Sequence, residues 1–378
     1  MFPQILSLFL MTASIGSASG LPGGNAPSRT PLNRWKMLAP LPDPVGFGGM
    51  FAGVLKGRLV TGGGSQFRDR PIWLKGEKTY SDRVFTLDHL DGKWTEQAFR
   101  LPFQVAHYAS VASDEAIYLA GGMDVAGCVK TAWEIRAQGE TFSCTPLPDL
   151  PDTNGYTAAA IVGGRLYVAG GQKQLTVRVA IAEVWSLDLQ KKDGWRREPD
   201  LPGAGVFLAA AAGYGEHLYV IGGVNLDAAG KAIQSARCFR LHVPTGRWER
   251  LPDLPEPRVG AATPCAVSNG RIFLIGGYAI SFPGAPREHP GFPAQTYVYD
   301  IARQAWENGP VLPSAAVGDR DQPGDAGPLP MVAAPGVVWL NHAVVISGEV
   351  RASTRTPAVV AWPLAQTLTR GTFHHENH

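Results

Sequence analysis

Apolar positions in this chain fall in short runs that end, repeatedly, on paired glycines. Leu59-Val60, Ile117-Tyr118-Leu119-Ala120, Leu166-Tyr167-Val168-Ala169, Leu218-Tyr219-Val220-Ile221 and Ile272-Phe273-Leu274-Ile275 lead to Gly62-Gly63, Gly121-Gly122, Gly170-Gly171, Gly222-Gly223 and Gly276-Gly277. The pairs recur at intervals of 59, 49, 52 and 54 residues. A sixth copy, Val344-Val345-Ile346-Ser347-Gly348, carries Ser in place of the first glycine. After each pair a loop leads to a second apolar run, such as Val84-Phe85-Thr86-Leu87-Asp88 or Tyr297-Val298-Tyr299-Asp300. Most units then place a tryptophan (Trp94, Trp195, Trp248, Trp306) and close on a Leu-Pro step. Runs this short, punctuated by Gly and Pro, predict β-strands and an all-β chain.

A repeat of about fifty residues is a supersecondary unit that buries its apolar faces against its neighbours. Six units are counted. The last has strands near Val337–Leu340, Ala343–Ile346 and Ala358–Trp362 but lacks the Trp-bearing fourth. The N-terminus has a spare one, Asn33-Arg34-Trp35-Lys36-Met37-Leu38, followed by Leu41-Pro42. The expectation is that this strand completes the sixth unit and closes a ring, which removes open sheet edges.

The double Gly, spaced aromatic and Trp, in register from about residue 33 to 362, resemble the kelch repeat. That resemblance implies a six-bladed β-propeller of four-stranded blades. The double Gly is expected to let backbones approach closely, and the outer-strand Trp to cover the gap to the next blade.

Composition narrows the partners. Of 378 residues 17% are charged and the net charge is +2, with Lys and Arg scattered. No basic stripe suggests nucleic acid, and no apolar run is long enough to span a membrane. Residues 1–20 hold Ile5-Leu6-Ser7-Leu8-Phe9-Leu10-Met11 and then small residues, the shape of a secretory signal peptide without its basic start. A Gly/Pro-rich linker at 21–32, the propeller at 33–366 and a frayed tail at 367–378 complete the expected organisation, with export to the periplasm or outside the cell. The tail histidines His374, His375 and His378 carry no fixed geometry and no metal site is assigned. Cys128 and Cys144 flank a predicted hairpin; a disulfide and two free thiols stay equally open. Three loops exceed the repeat: Ser65–Tyr80, Tyr278–Gln295 and Ala315–Leu329, the last read as a solvated decoration.

Two stretches go beyond the repeat. Gly46-Phe47-Gly48-Gly49-Met50-Phe51-Ala52-Gly53-Val54 with Leu59-Val60-Thr61-Gly62-Gly63-Gly64-Ser65-Gln66-Phe67, and Ser347-Gly348-Glu349-Val350-Arg351-Ala352-Ser353-Thr354-Arg355-Thr356-Pro357, are together similar to the N-acetylneuraminate epimerase (sialic acid mutarotase) family in its cyclically permuted branch. The resemblance implies interconversion of α and β anomers of N-acetylneuraminate or a related keto-sugar acid, with Glu349 and Arg355 as the catalytic pair. It departs at Ala352-Ser353, where the family has Pro-Gly, and at Ser65-Gln66, where it has Ala-Asn. Arg351, Gln66, Phe67 and Tyr108 are expected to contact the substrate, and no cofactor or metal is implied.

The chemistry suits the residue types. An ionised Glu can take the anomeric proton. Arg stays protonated and so acts through charge, either clamping the substrate carboxylate or stabilising charge near the ring oxygen. The proton donor stays open among water, Tyr108 and Tyr156. From the residues alone a loop ion pair bracing a turn is the commoner use of such a pair, and His107 reads as a strand-end residue. A non-catalytic kelch module binding a glycan or protein through Phe67, Trp73 and Phe292 is the alternative. A copper radical oxidase would need paired histidines near the axis, and the histidines here sit singly.

Overall fold

The computed structural model describes residues 35–364 apart from 176–178, 228, 280–281, 315–318 and 323–329. The expected signal peptide, linker and tail lie outside the described residues, as does much of the 315–329 loop. Six four-stranded antiparallel sheets form the six blades of a propeller. Their innermost strands are Phe51–Leu55, Ala109–Ala112, Ala158–Val162, Ala210–Tyr214, Ala266–Ser268 and Gly336–Trp339. Small residues dominate there, with Ala158, Ala159, Ala160, Ala210, Ala211 and Ala212 all buried. Six strands converging on one axis leave room for little more than a methyl group. The second strands, such as Ala116–Ala120, are buried on both faces, and the outermost, such as Thr95–Arg100, are largely exposed.

The ring closes as the spare strand requires. Lys36–Met37 pairs with Val359–Pro363, Lys36 opposite Ala361 and Met37 opposite Val360. Phe47, Met50, Leu59 and Phe85 of the first blade pack with Trp339, Val344, Ile346 and Val359 of the last. Burial of such side chains contributes roughly 1.5–3 kcal/mol each, so first and last blades are joined as firmly as sequential ones.

A second circuit runs round the axis. Six residues just before the inner strands (Gly49, His107, Tyr156, Leu208, Gly260 and Ala333) all have positive φ, between 51° and 69°. Each donates its amide to the carbonyl of its counterpart in the preceding blade: His107 to Gly49, Tyr156 to His107, Leu208 to Tyr156, Gly260 to Leu208, Ala333 to Gly260 and Gly49 to Ala333, at 2.7–3.1 Å. Backbone donors that would face an empty channel are thereby satisfied.

The double glycines do bring blades together. A Cβ on Gly121 would lie 2.1 Å from the Asn154 carbonyl oxygen of the next blade, and the Gly122 amide donates to that oxygen at 2.7 Å. In the first blade the working pair is Gly63-Gly64, not Gly62-Gly63. Gly62 still pairs as strand, opposite Phe51. In the last blade Ser347 takes φ 55°, and its hydroxyl accepts from the Phe47 amide at 2.8 Å and donates to the Thr356 carbonyl at 2.6 Å.

The tryptophans reach the other way from expectation. Trp195, Trp248 and Trp306 donate Nε1–H to the Pro148, Pro199 and Pro252 carbonyls at the end of the preceding blade, and Trp94 donates to Ala39 at 2.8 Å. The outer strand therefore covers the gap behind it. All four cysteines are free thiols. Cys144 stands opposite Ile135 in the hairpin, while Cys128 bridges Met123 before its first strand. No helix among the described residues is long and apolar enough to cross a membrane.

Candidate functional site

The residue after each double glycine bridges back to the residue before the axial ring. Ser65, Met123, Gln172, Val224, Tyr278 and Glu349 pair with Gly48, Ala106, Gly155, Phe207, Val259 and Val332. Glu349 is thus the sixth member of a set that surrounds the axis at one end of the channel. It is the carboxylate of the set.

Glu349 opens a hairpin, Glu349–Arg351 paired with Thr354–Arg355. Its register sets Glu349 opposite Arg355 and Arg351 opposite Thr354. The six-residue spacing is therefore the span of one tight turn. Ser353 supplies the positive φ, 60°, that a glycine would have taken more easily, and its amide donates to Glu349 Oε1 at 3.0 Å. Arg355 Nη1 donates to Glu349 Oε2 in a close ion pair. Arg355 Nε points to the Ser65 carbonyl at 3.4 Å, and its guanidinium lies 5.7 Å from the Phe67 ring centroid. With Nη1 and Nε engaged, a two-pronged clamp on a substrate carboxylate would have to compete with Glu349 or with the Ser65 carbonyl.

The Ser65–Tyr80 loop folds over this pair. Ser65–Gln66 and Thr79–Tyr80 form a two-stranded ribbon, which turns Lys78 toward the axis. Lys78 Nζ lies 3.8 Å from Met123 Sδ and 5.1 Å from the Tyr80 ring centroid. Burial and the Arg355 charge lower its pKa to about 7, against a smaller opposing effect of Glu349. His107, beside Tyr156 with ring centroids 4.8 Å apart, is held well below its ordinary value by burial, Lys78 and Arg355, and is neutral at pH 7. Burial, Asp124 and Cys128 push Tyr80 up to about 12. Burial first, then Tyr80 and Glu349, also push Tyr156 up. A partly open cavity of about 50 Å³ lies in the channel, lined by His107, Tyr108, Tyr156 and the axial ring. Glu349, Arg355 and Lys78 are not among its walls, so the charged groups form the mouth and the cavity lies next to it.

The structure thus brings Glu349, Arg355 and Phe67 together. Gln66 sits in the adjoining ribbon, buried, with no hydrogen-bond partner for Oε1 among the described residues. Arg351 is 1% exposed and acts on His289, whose pKa is lowered first by burial. Tyr108 lines the cavity but stands apart from the Glu349–Arg355 pair. Its hydroxyl donates to the Gly62 carbonyl at 3.2 Å between the first two blades, and burial pushes its pKa up. His107 is a strand-end residue, as read, but it faces the axis among these charges. Lys78 and Tyr80 escaped the sequence reading. The signal for them was the length of their loop.

The third loop is more than decoration. Asp321 accepts from Trp73 Nε1 at 3.1 Å and from Arg287 through two bonds of 2.8 Å. Arg320 donates to the Arg287 and His289 carbonyls at 2.8 and 2.9 Å. The three long loops are thereby tied to one another beside the mouth. Among the described residues no group of three or more His, Cys, Asp or Glu is placed to hold a metal ion.

No family model matches the chain. It is similar to several curated proteins. Spermatocyte protein spe-26 of Caenorhabditis elegans is 26% identical over 216 residues, 55% of this chain and 35% of that protein. Kelch-like protein 36 of Rattus norvegicus is 24% identical over 283 residues, 70% of this chain and 40% of its own length. Kelch-like protein terF of Aspergillus terreus is 24% identical over 300 residues, 76% and 59%. The chain spans less than two thirds of the length of each of these relatives.

Proposed function

Because this chain is a kelch-repeat β-propeller with a Glu–Arg pair at its axis, we propose that it is a mutarotase for a keto-sugar acid, N-acetylneuraminate or a relative. The observation that carries the reading is the position of Glu349. It is the acidic member of the axial set, held by Arg355 and the Ser353 amide, beside neutral His107 and Tyr156. A structural ion pair would serve equally well on an outer loop.

In the proposed reaction Glu349 takes the proton of the anomeric hydroxyl. The C2–ring-oxygen bond breaks as the carbonyl forms, and the ring oxygen gains a proton from Tyr156 or a water. Rotation and the reverse steps close the ring on the other face. Arg355 aims Glu349 through their ion pair, and stabilises charge near the ring oxygen. Tyr108 is not cast as the donor, since its hydroxyl is committed to Gly62. Export to the periplasm or beyond belongs to the same proposal.

Proton NMR of freshly released α-N-acetylneuraminate tests it. The reading expects a faster approach to the β anomer with protein than in buffer. No acceleration with this or other 2-keto sugar acids would overturn it. The second reading, a non-catalytic binding module, is favoured by exposed apolar loop residues at the same end. Leu74, Val125, Val179 and Ile233 are 42%, 89%, 53% and 48% exposed.

A further inference from the structure

Lys78 is a cation without a carboxylate. Among the described residues no Asp or Glu oxygen lies within salt-bridge distance of its Nζ. Its near contacts are Met123 Sδ and the Tyr80 ring face. Glu349, the carboxylate that acts on it, is already bonded to Arg355. The charged and titratable groups that act on Lys78 or respond to it are Arg355 and Glu349 from the last blade and His107 from the second. Tyr80 adjoins it on its own ribbon, and Tyr156 of the third blade packs on His107. With Glu349 and Arg355 paired with each other, Lys78 in its protonated form is the one cation among the groups that act on it that has no carboxylate partner among the described residues.

We propose that Lys78 is the carboxylate anchor of the axial mouth, seating a monoanionic sugar acid so that the Glu349–Arg355 pair faces its anomeric carbon. The choice of a sugar acid rests on the reading of the preceding section. The assignment of the anchor rests on the geometry of the mouth. One such cation matches a carboxylate better than a phosphate dianion. The apolar surroundings raise the value of an anion there, because a partly desolvated ammonium gains more from a partner than a hydrated one. Because burial and Arg355 hold the free ammonium near neutrality, an arriving carboxylate favours its charged form. Above pH 7, binding therefore draws a proton from solution.

The test uses the α-methyl glycoside of N-acetylneuraminate, whose blocked anomeric oxygen prevents ring opening. Titration calorimetry of the full chain at pH 8, in phosphate and in Tris, reads affinity and proton uptake together. The proposal expects uptake of up to about one proton per ligand. Lys78→Met should lose affinity by about tenfold or more together with the uptake. Lys78→Arg, which keeps the charge but stays protonated, should retain binding within about threefold and lose the uptake. Lys78→Met binding like wild type, or no binding of the glycoside to wild type, overturns the proposal. A protein that binds the glycoside through Lys78 yet leaves anomer exchange unaccelerated overturns the mutarotase reading and upholds the anchor.

Discussion

Gly49 donates its amide to the Ala333 carbonyl at 2.7 Å, and that bond joins the first and last blades at the axis. It completes a circuit whose other five bonds link blades consecutive in sequence. Gly49 is also confined by its neighbour. A Cβ there would lie 2.5 Å from His107 Nδ1 and 2.6 Å from the His107 amide nitrogen.

Gly49→Ala should therefore destabilise the fold by about 2–3 kcal/mol, combining left-handed backbone strain with a contact that backbone cannot yield. Denaturant unfolding measures it. Leu208 and Ala333 tolerate the same backbone region, so Ala333→Gly should change stability by less than about 1 kcal/mol.

Trp94→Phe removes the bond that ties the first blade to the N-terminal strand at Ala39. A loss of about 1 kcal/mol is expected, the usual net contribution of such a bond. Leu38→Ala empties a buried site in the same seam and should cost about 2–5 kcal/mol. Equilibrium unfolding of both variants checks whether closure by this strand stabilises the ring.

Lys78 gives a pH dependence with a definite sign. Its pKa is lowered in the folded state to about 7 from 10.5. The unfolded chain thus holds more protons between those values, and stability from this group rises as pH rises through that window. Lys78→Met should raise the melting temperature at pH 7. The gain should shrink toward pH 10, where wild-type Lys78 is already neutral. Thermal melts across this range check it.

Asp321 should behave oppositely to a loose surface acid. The Arg287 guanidinium and the Trp73 indole lower its pKa to about 2. The tie between the three loops should then persist from pH 8 down to about pH 3 and fail as pH falls through the folded value. Asp321→Asn should release it at neutral pH, seen as faster amide exchange at Leu74 and Lys75.

The repeat made the blades legible, because strand runs, glycine pairs and the spare N-terminal strand are local patterns. The glycine pair of the first blade slipped by one because three glycines adjoin, and strand pairing alone decides that Gly62 belongs to the ladder. The Trp direction depends on how blades stack, which local sequence does not encode. At the site, Glu349 and Arg355 were singled out by the family resemblance, because from the residues alone a loop ion pair bracing a turn is the commoner use of such a pair. Lys78 was not. Its place depends on a ribbon that folds a sixteen-residue loop, Ser65 to Tyr80, so that Lys78 meets Met123 of the next blade. His107 was readable as a strand end, but its facing the axis follows from the ring of backbone bonds.

The central claim is that Glu349 is the base of an axial sugar-acid site. It is tested most directly by following α-N-acetylneuraminate by proton NMR with wild type and Glu349→Gln. Gln can still accept from the Ser353 amide, so the hairpin should survive. The account predicts acceleration by wild type and a loss of about 10²–10⁴-fold in the variant, the range for a removed general base. Equal acceleration by both proteins would contradict it.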